Sequence, residues 1–169
     1  MKNLILIFVL VFLTACGQSA DDVIWLLSDN YKGAVVVIHN QNNGEDEVYE
    51  NGKRVYRIPK NGVLETKFKA NYGTFHQKVY YQKENGERIE IPLLSRFPVE
   101  NFTDHTFEPK ESTVYHFAHK GQGEGVNFKD GKEISKTPRV TMFLVGYYPS
   151  ANTYYKQQEQ LLKENMPNK

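Results

Sequence analysis

Ala34-Val35-Val36-Val37-Ile38 and Val140-Thr141-Met142-Phe143-Leu144-Val145-Gly146-Tyr147 are the two stretches that decide the fold. Successive side chains on a strand point to opposite faces. A run that is apolar at nearly every position is therefore covered on both faces and reads as a central strand. Working outward, other runs are apolar on one face only. In residues 63–70, Leu64 and Phe68 lie opposite Glu65, Lys67 and Lys69. Phe75, Val79 and Tyr81 alternate with His76, Lys78 and Tyr80, and Ile89, Ile91 and Leu93 with Arg88 and Glu90, which turns the apolar members inward. Residues 24–27, 53–58 and 113–119 are further strand candidates.

Between these runs stand Asn43-Gly44, Asn51-Gly52, Asn61-Gly62, Asn85-Gly86 and Asp130-Gly131. Such pairs accept positive φ and suit tight hairpin turns. Strands about ten residues apart with turn chemistry between them make the pattern of a sandwich. Residues 92–109 begin and end in proline and read as a long connection. After Pro149 the period changes: Ser150 can cap a helix whose stripe is Ala151, Tyr154, Tyr155, Leu161, Leu162 and Met166. The expected fold is mainly β, an antiparallel β-sandwich closed by one C-terminal α-helix from about residue 150.

The N-terminus carries an address. Lys2 precedes ten uninterrupted apolar residues, 4–13, which as a helix reach about 15 Å, half of a hydrocarbon core. The segment ends in Leu13-Thr14-Ala15-Cys16 and resembles the bacterial lipobox. That resemblance implies a signal peptide over residues 1–15, a lipidated Cys16 with a short polar tether over 16–22, and a single domain over 23–169. Acyl chains on Cys16 would make the membrane the first partner. Gly17 follows the cysteine where an aspartate would resemble an inner-membrane retention signal. The expected location is therefore the outer membrane of a two-membrane host, or the outer face of the plasma membrane where there is one membrane.

Among 169 residues, Lys and Arg number 21 and Asp and Glu 20, a net charge of +1. Nucleic acid and anionic surfaces call for a concentrated basic face, so this balance argues against both as partners of the chain as a whole. Cys16 is the only cysteine, which leaves disulfides and thiolate chemistry out once it is acylated.

Two stretches, Trp25-Leu26-Leu27-Ser28-Asp29-Asn30-Tyr31-Lys32-Gly33-Ala34-Val35-Val36-Val37 and Glu50-Asn51-Gly52-Lys53-Arg54-Val55-Tyr56-Arg57-Ile58-Pro59-Lys60-Asn61-Gly62-Val63-Leu64, resemble an uncharacterised family of small bacterial lipoproteins. Phe143-Leu144-Val145-Gly146 matches it further, while Ser28 stands where the family's pattern has proline. The resemblance implies no activity, because that family is a domain of unknown function. Gly-x-Val-x-Val followed by Ile-Pro-x-x-Gly is also similar to prealbumin-like sandwich modules, a likeness of fold alone.

Candidate chemistry is sparse. His116 and His119, with His105 nearby, have metal-like composition, yet residues three apart on a regular strand face opposite ways. They act together only where the strand bends or ends between them. His39 and His76 read as surface residues. Residues 121–125 (GQGEG) lack the strand-to-helix context of a phosphate loop and read as a loop. There is no Gly-x-Ser-x-Gly and no Ser-x-x-Lys. No cofactor is implied. What remains is tyrosine in adjacent pairs, 80–81, 147–148 and 154–155, with Tyr80, Tyr148 and Tyr154 as the candidate binding face. Tyrosine offers rigid, amphipathic contact area for a protein or a sugar ring. The expectation is a non-catalytic, lipid-anchored envelope module that binds an envelope protein or cell-wall glycan. A metal-dependent envelope enzyme built on His105, His116 and His119 is the alternative, and a structural spacer the third reading.

Overall fold

The structure is a computed structural model and describes residues 20–94, 110–123, 125–130 and 132–166. In chain order the elements are β1 (Val23–Ser28), β2 (Gly33–Ile38), β3 (Val48–Glu50), β4 (Lys53–Ile58), β5 (Val63–Glu65), β6 (Gln77–Gln82), β7 (Arg88–Ile91), β8 (Val114–Gln122), β9 (Gly125–Lys129), β10 (Lys132–Thr137) and β11 (Val140–Tyr147). A 3-10 turn (Tyr148–Ser150) then leads into helix α1 (Ala151–Asn165). A five-stranded sheet in the order β3-β4-β1-β6-β7 faces a four-stranded sheet in the order β5-β2-β11-β8, and β9 and β10 form a separate ribbon.

The sandwich and its C-terminal helix are as expected; the pairing differs, because both sheets are mixed. β1 runs parallel to β4 and β6, and β2 parallel to β5, while β3, β7, β8 and β11 pair antiparallel. The cause is the path of the chain. It passes from β1 to β2 in the other sheet, returns for β3 and β4, crosses to β5 and returns for β6 and β7. β4, reached through the β3–β4 hairpin, and β6 both re-enter beside β1 in its own direction, so the centre of that sheet is parallel.

The Asn-Gly pairs serve both kinds of connection. Those at 51–52 and 85–86 close the hairpins β3–β4 and β6–β7. Asn61-Gly62 instead carries the chain from one sheet to the other, with Gly62 at φ 82° and its N–H donating to the Pro59 carbonyl at 2.9 Å. A Cβ on Gly62 would collide with the Ala34 carbonyl and the Tyr31 hydroxyl.

Between the sheets lie Trp25, Leu27, Val35, Val37, Tyr56, Phe68, Val79, Ile91, Phe143 and Val145. Trp25 stacks on Tyr56 at 4.5 Å, and its indole N–H donates to Gln77 Oε1 at 3.1 Å. On the far side of the four-stranded sheet, Ala34 and Leu144 pack against Ala151, Tyr154 and Leu161, and Val36, Ile38, Val140 and Met142 against Leu161 and Leu162. β2 is thus buried at all six positions, one face in the sandwich and the other under α1. Gln157 Oε1 accepts the Ala34 N–H at 3.1 Å, and the Tyr154 ring sits where a Cβ on Gly146 would be. Ser150 occupies the N-cap position without a side-chain hydrogen bond, since the chain enters through the Pro149 turn.

Among the described residues no helix or further sheet lies over the outer face of the five-stranded sheet, and Leu26 there is 2% exposed. In the strand register it stands between Arg57 and Tyr80. Arg88 grips Glu50 through two hydrogen bonds of 2.8 Å, linking the two edge strands of that sheet across its outer face.

Three local expectations change. His39 is buried, not superficial, because β2 delivers it to the inner face against Thr141, where Nε2 meets Oγ1 at 2.9 Å. His76 is exposed as expected. Of Ile89, Ile91 and Leu93 only Ile91 is buried, because β7 is an edge strand. Residues 121–125 belong largely to strands, β8 running to Gln122 and β9 starting at Gly125.

Candidate functional site

The site is built on an irregularity in β8. Along β11, Met142 faces Lys120 and Leu144 faces Phe117, so Ala118 and His119 together oppose Phe143. Such a bulge bends the strand, and Ala118 takes the turn at φ 54°, a conformation uncommon for any residue but glycine. The bend brings two side chains of the same strand together. His116 Nδ1 lies 2.7 Å from His119 Nε2, and the His119 ring stacks on Phe143 at 4.6 Å and 13°. The condition the sequence set for His116 and His119 to act as a pair is therefore met.

The backbone of His116 also stitches the two sheets together. Its N–H donates to the Pro92 carbonyl at 3.0 Å, and its carbonyl accepts the Leu94 N–H at 2.9 Å. Burial pushes the His116 imidazole down to about 4, partly opposed by the charge of Glu90. Burial also pushes His119 down to about 3, with His116 beside it adding to the effect. Both are neutral at neutral pH, one lending an N–H and the other a lone pair. Two nitrogens on one zinc ion would each sit about 2.0 Å from it and more than about 3 Å apart, so a metal here would have to part the pair. Among the described residues no group of three His, Cys, Asp or Glu side chains gathers. His105 lies outside the described residues, as does Cys16.

A cavity of about 700 Å³ opens between this bulge and the first turns of α1. Its walls include Leu94, Phe117, His119, Lys120, Tyr148 and Tyr155. Phe117 meets Tyr148 at 6.1 Å, and the Lys120 ammonium lies 5.8 Å over the Tyr155 ring. Apolar and aromatic walls with a few polar groups, at this size, are what small-ligand cavities present.

The three tyrosines proposed as one face do not share it. Tyr80 stands on the outer face of the five-stranded sheet, where it lines a 230 Å³ groove with Glu50 and Lys78. Tyr154 packs down onto the four-stranded sheet, and Tyr148 lines the cavity. The physical reason is separation: a strand of one sheet and a helix laid on the other sheet cannot present one surface. Phe117, Lys120 and Tyr155 were not singled out. The adjacent pair 154–155 did contain the signal, but a helix turns one ring inward and offers the next.

Fold and site together define a three-layer β-sandwich module with a ligand-sized cavity under the helix that closes it. The chain belongs to a family of unknown function, DUF6843, which matches residues 19–143. No curated protein matches the sequence. Among solved structures, a candidate lipoprotein from Bacillus anthracis is similar over 88% of this chain and 98% of its own, with 17% sequence identity and a TM-score of 0.48.

Proposed function

We propose that this protein is a lipid-anchored, non-catalytic module of the bacterial cell envelope that binds an envelope protein or cell-wall glycan. Residues 1–15 are its signal peptide, Cys16 carries the lipid, residues 16–22 form the tether and residues 23–169 the binding domain. It sits in the outer membrane of a two-membrane host or on the outer face of a single plasma membrane. The observation that carries the binding reading is the cavity at the β8 bulge. Its rings, Phe117, Tyr148 and Tyr155, suit a sugar ring or an apolar side chain, and Lys120 supplies a directional polar contact. Its histidine is engaged with His116 rather than poised over the opening. The anchor is supported by Leu13-Thr14-Ala15-Cys16 after the apolar run.

The test is cross-linking in the living host followed by mass spectrometry of what co-purifies. A stoichiometric partner is expected with the natural chain, lost on Tyr148→Ala and Tyr155→Ala and kept on Tyr80→Ala. A partner kept by the first two and lost by the third would move the site to the other sheet and overturn the reading. Labelling with palmitate, abolished by Cys16→Ala, checks the anchor separately.

A further inference from the structure

A second cavity, of about 620 Å³, lies at the other end of α1, bounded by the end of β2, residues 69–72, residues 137–139 and Asn165. Its position is fixed by the entry of the chain into the domain. Asp21 N–H donates to Asn71 Oδ1 at 3.2 Å, Asn71 Nδ2 donates to the Asp21 carbonyl at 2.6 Å, and Ala20 N–H reaches the Thr74 carbonyl at 3.4 Å. Arg54, paired with Asp21 at 2.8 Å, donates to the Lys69 carbonyl at 2.6 Å. The wall that carries Lys69 and Tyr72 is therefore tied directly to residues 20–22. From Cys16 to Ala20 the chain can span no more than about 15 Å.

The lining chemistry differs from that of the aromatic cavity. Among the described residues that line it, the charged ones are Lys69, Arg139 and Glu65. The Arg139 guanidinium lies 4.7 Å over the Tyr72 ring, which is 54% exposed. Among the described residues the Lys69 ammonium makes no ion pair. Arg and Lys suit phosphate oxygens, and an exposed tyrosine is at home where water meets hydrocarbon. A neutral chain can carry such a pair, because the total charge does not record where two cations stand.

We infer that the cavity between Lys69, Tyr72 and Arg139 receives the phosphodiester headgroup of an anionic phospholipid, and so seats the domain on the membrane to which it is tethered. This rests on the anchoring at Cys16, which brings that end of the domain to the bilayer. Lys69 and Arg139 hold the phosphate oxygens, and Tyr72 lies along the glycerol at the interface.

The experiment expresses the whole chain, purifies the processed protein in detergent and titrates it with dihexanoyl phosphatidylglycerol, dihexanoyl phosphatidylcholine and inorganic phosphate, read by calorimetry. Saturable binding of phosphatidylglycerol is expected, about tenfold tighter than phosphatidylcholine or phosphate. Lys69→Gln and Arg139→Gln should each weaken it about tenfold, while Lys69→Arg retains it. Equal binding of phosphatidylcholine, equal binding of phosphate, or no loss with Lys69→Gln overturns the inference, the second by showing a free-anion site. The mass of the N-terminal peptide separates the two readings. A lipidated Cys16 without phosphatidylglycerol binding refutes the headgroup site alone, and an unmodified Cys16 with binding refutes the anchor alone.

Discussion

The two sheets hide their apolar residues by different means. The centre of the four-stranded sheet is dry on both faces, with the sandwich on one side and α1 on the other, and β2 has no exposed position. The five-stranded sheet packs one face, and on the other Leu26 stands in register between Arg57 and Tyr80, with the Arg88–Glu50 bridge spanning the edge strands. Burial alone does not separate the two, since Leu144 is 0% and Leu26 2% exposed. What separates them is the cover. A docked helix is rigid and apolar, whereas a lattice of flexible, half-hydrated side chains can sag into a gap.

Acid should break the comparison most strongly. His39 and His116, both buried, and His119, half-buried, all belong to the four-stranded sheet or its immediate end. Their ordinary value is 6.5, and burial holds them at about 4, about 4 and about 3. The unfolded chain therefore takes up protons that the fold refuses. Their stabilisation is complete above pH 6.5 and is lost as pH falls toward 4, on the order of 3 kcal/mol for His39, while His116 and His119 touch and titrate as a pair. Asp22, Asp46, Glu50 and Glu87 are lowered too, each by a neighbouring donor or cation, but they act at the acid end of this window and below it. Urea midpoints measured from pH 7 to pH 4 should drop steeply, and hydrogen exchange should open β2, β8 and β11 first. The double variant His116→Leu, His119→Phe should flatten the drop. A midpoint indifferent to pH in that range would remove the histidines from the account.

Cavity-forming substitutions come next. Leu144→Ala, under the helix, should cost about 3 to 5 kcal/mol, because neither the sheet nor α1 can close the gap. Leu26→Ala should cost less, about 1 to 3 kcal/mol, as Arg57 and Tyr80 settle inward. Equal losses in chemical denaturation would show that the polar lattice is as rigid as the helix. The smallest effect is expected from Glu50→Gln. It removes one partner of a half-exposed ion pair and should shift Tm by at most a few degrees, less in high salt. A large shift would mean that the bridge holds the curvature of the five-stranded sheet.

The same contrast explains what could be read from the sequence. Runs apolar at nearly every position mark β2 and β11 as central strands, because burial on both faces leaves little place for a polar residue. The parallel pairing was hidden. Asn51-Gly52 and Asn61-Gly62 look alike, yet the first makes a hairpin and the second an arch between sheets, and only the partner of the following strand decides. His39 looked superficial because its neighbours Asn40 and Gln41 are polar, although its position continues the inward set of Val35 and Val37. The candidate site was legible in part. His119 and Tyr148 were named for separate reasons, and the bulge that joins them leaves no mark in the residue pattern, since alanine carries the left-handed turn.

The pairing of β2 with β11 places Val35 opposite Phe143, more than a hundred positions apart in the chain. No hairpin can prepare that contact, so the closure of a very long loop precedes its reward, and folding is correspondingly slow. Until β11 and α1 have been synthesised, β2 lacks its antiparallel neighbour and the cover over its outward face. A growing chain thus remains open and vulnerable to proteases until the helix is made, and a chain that stops short of α1 exposes the apolar face by which it can be recognised and cleared.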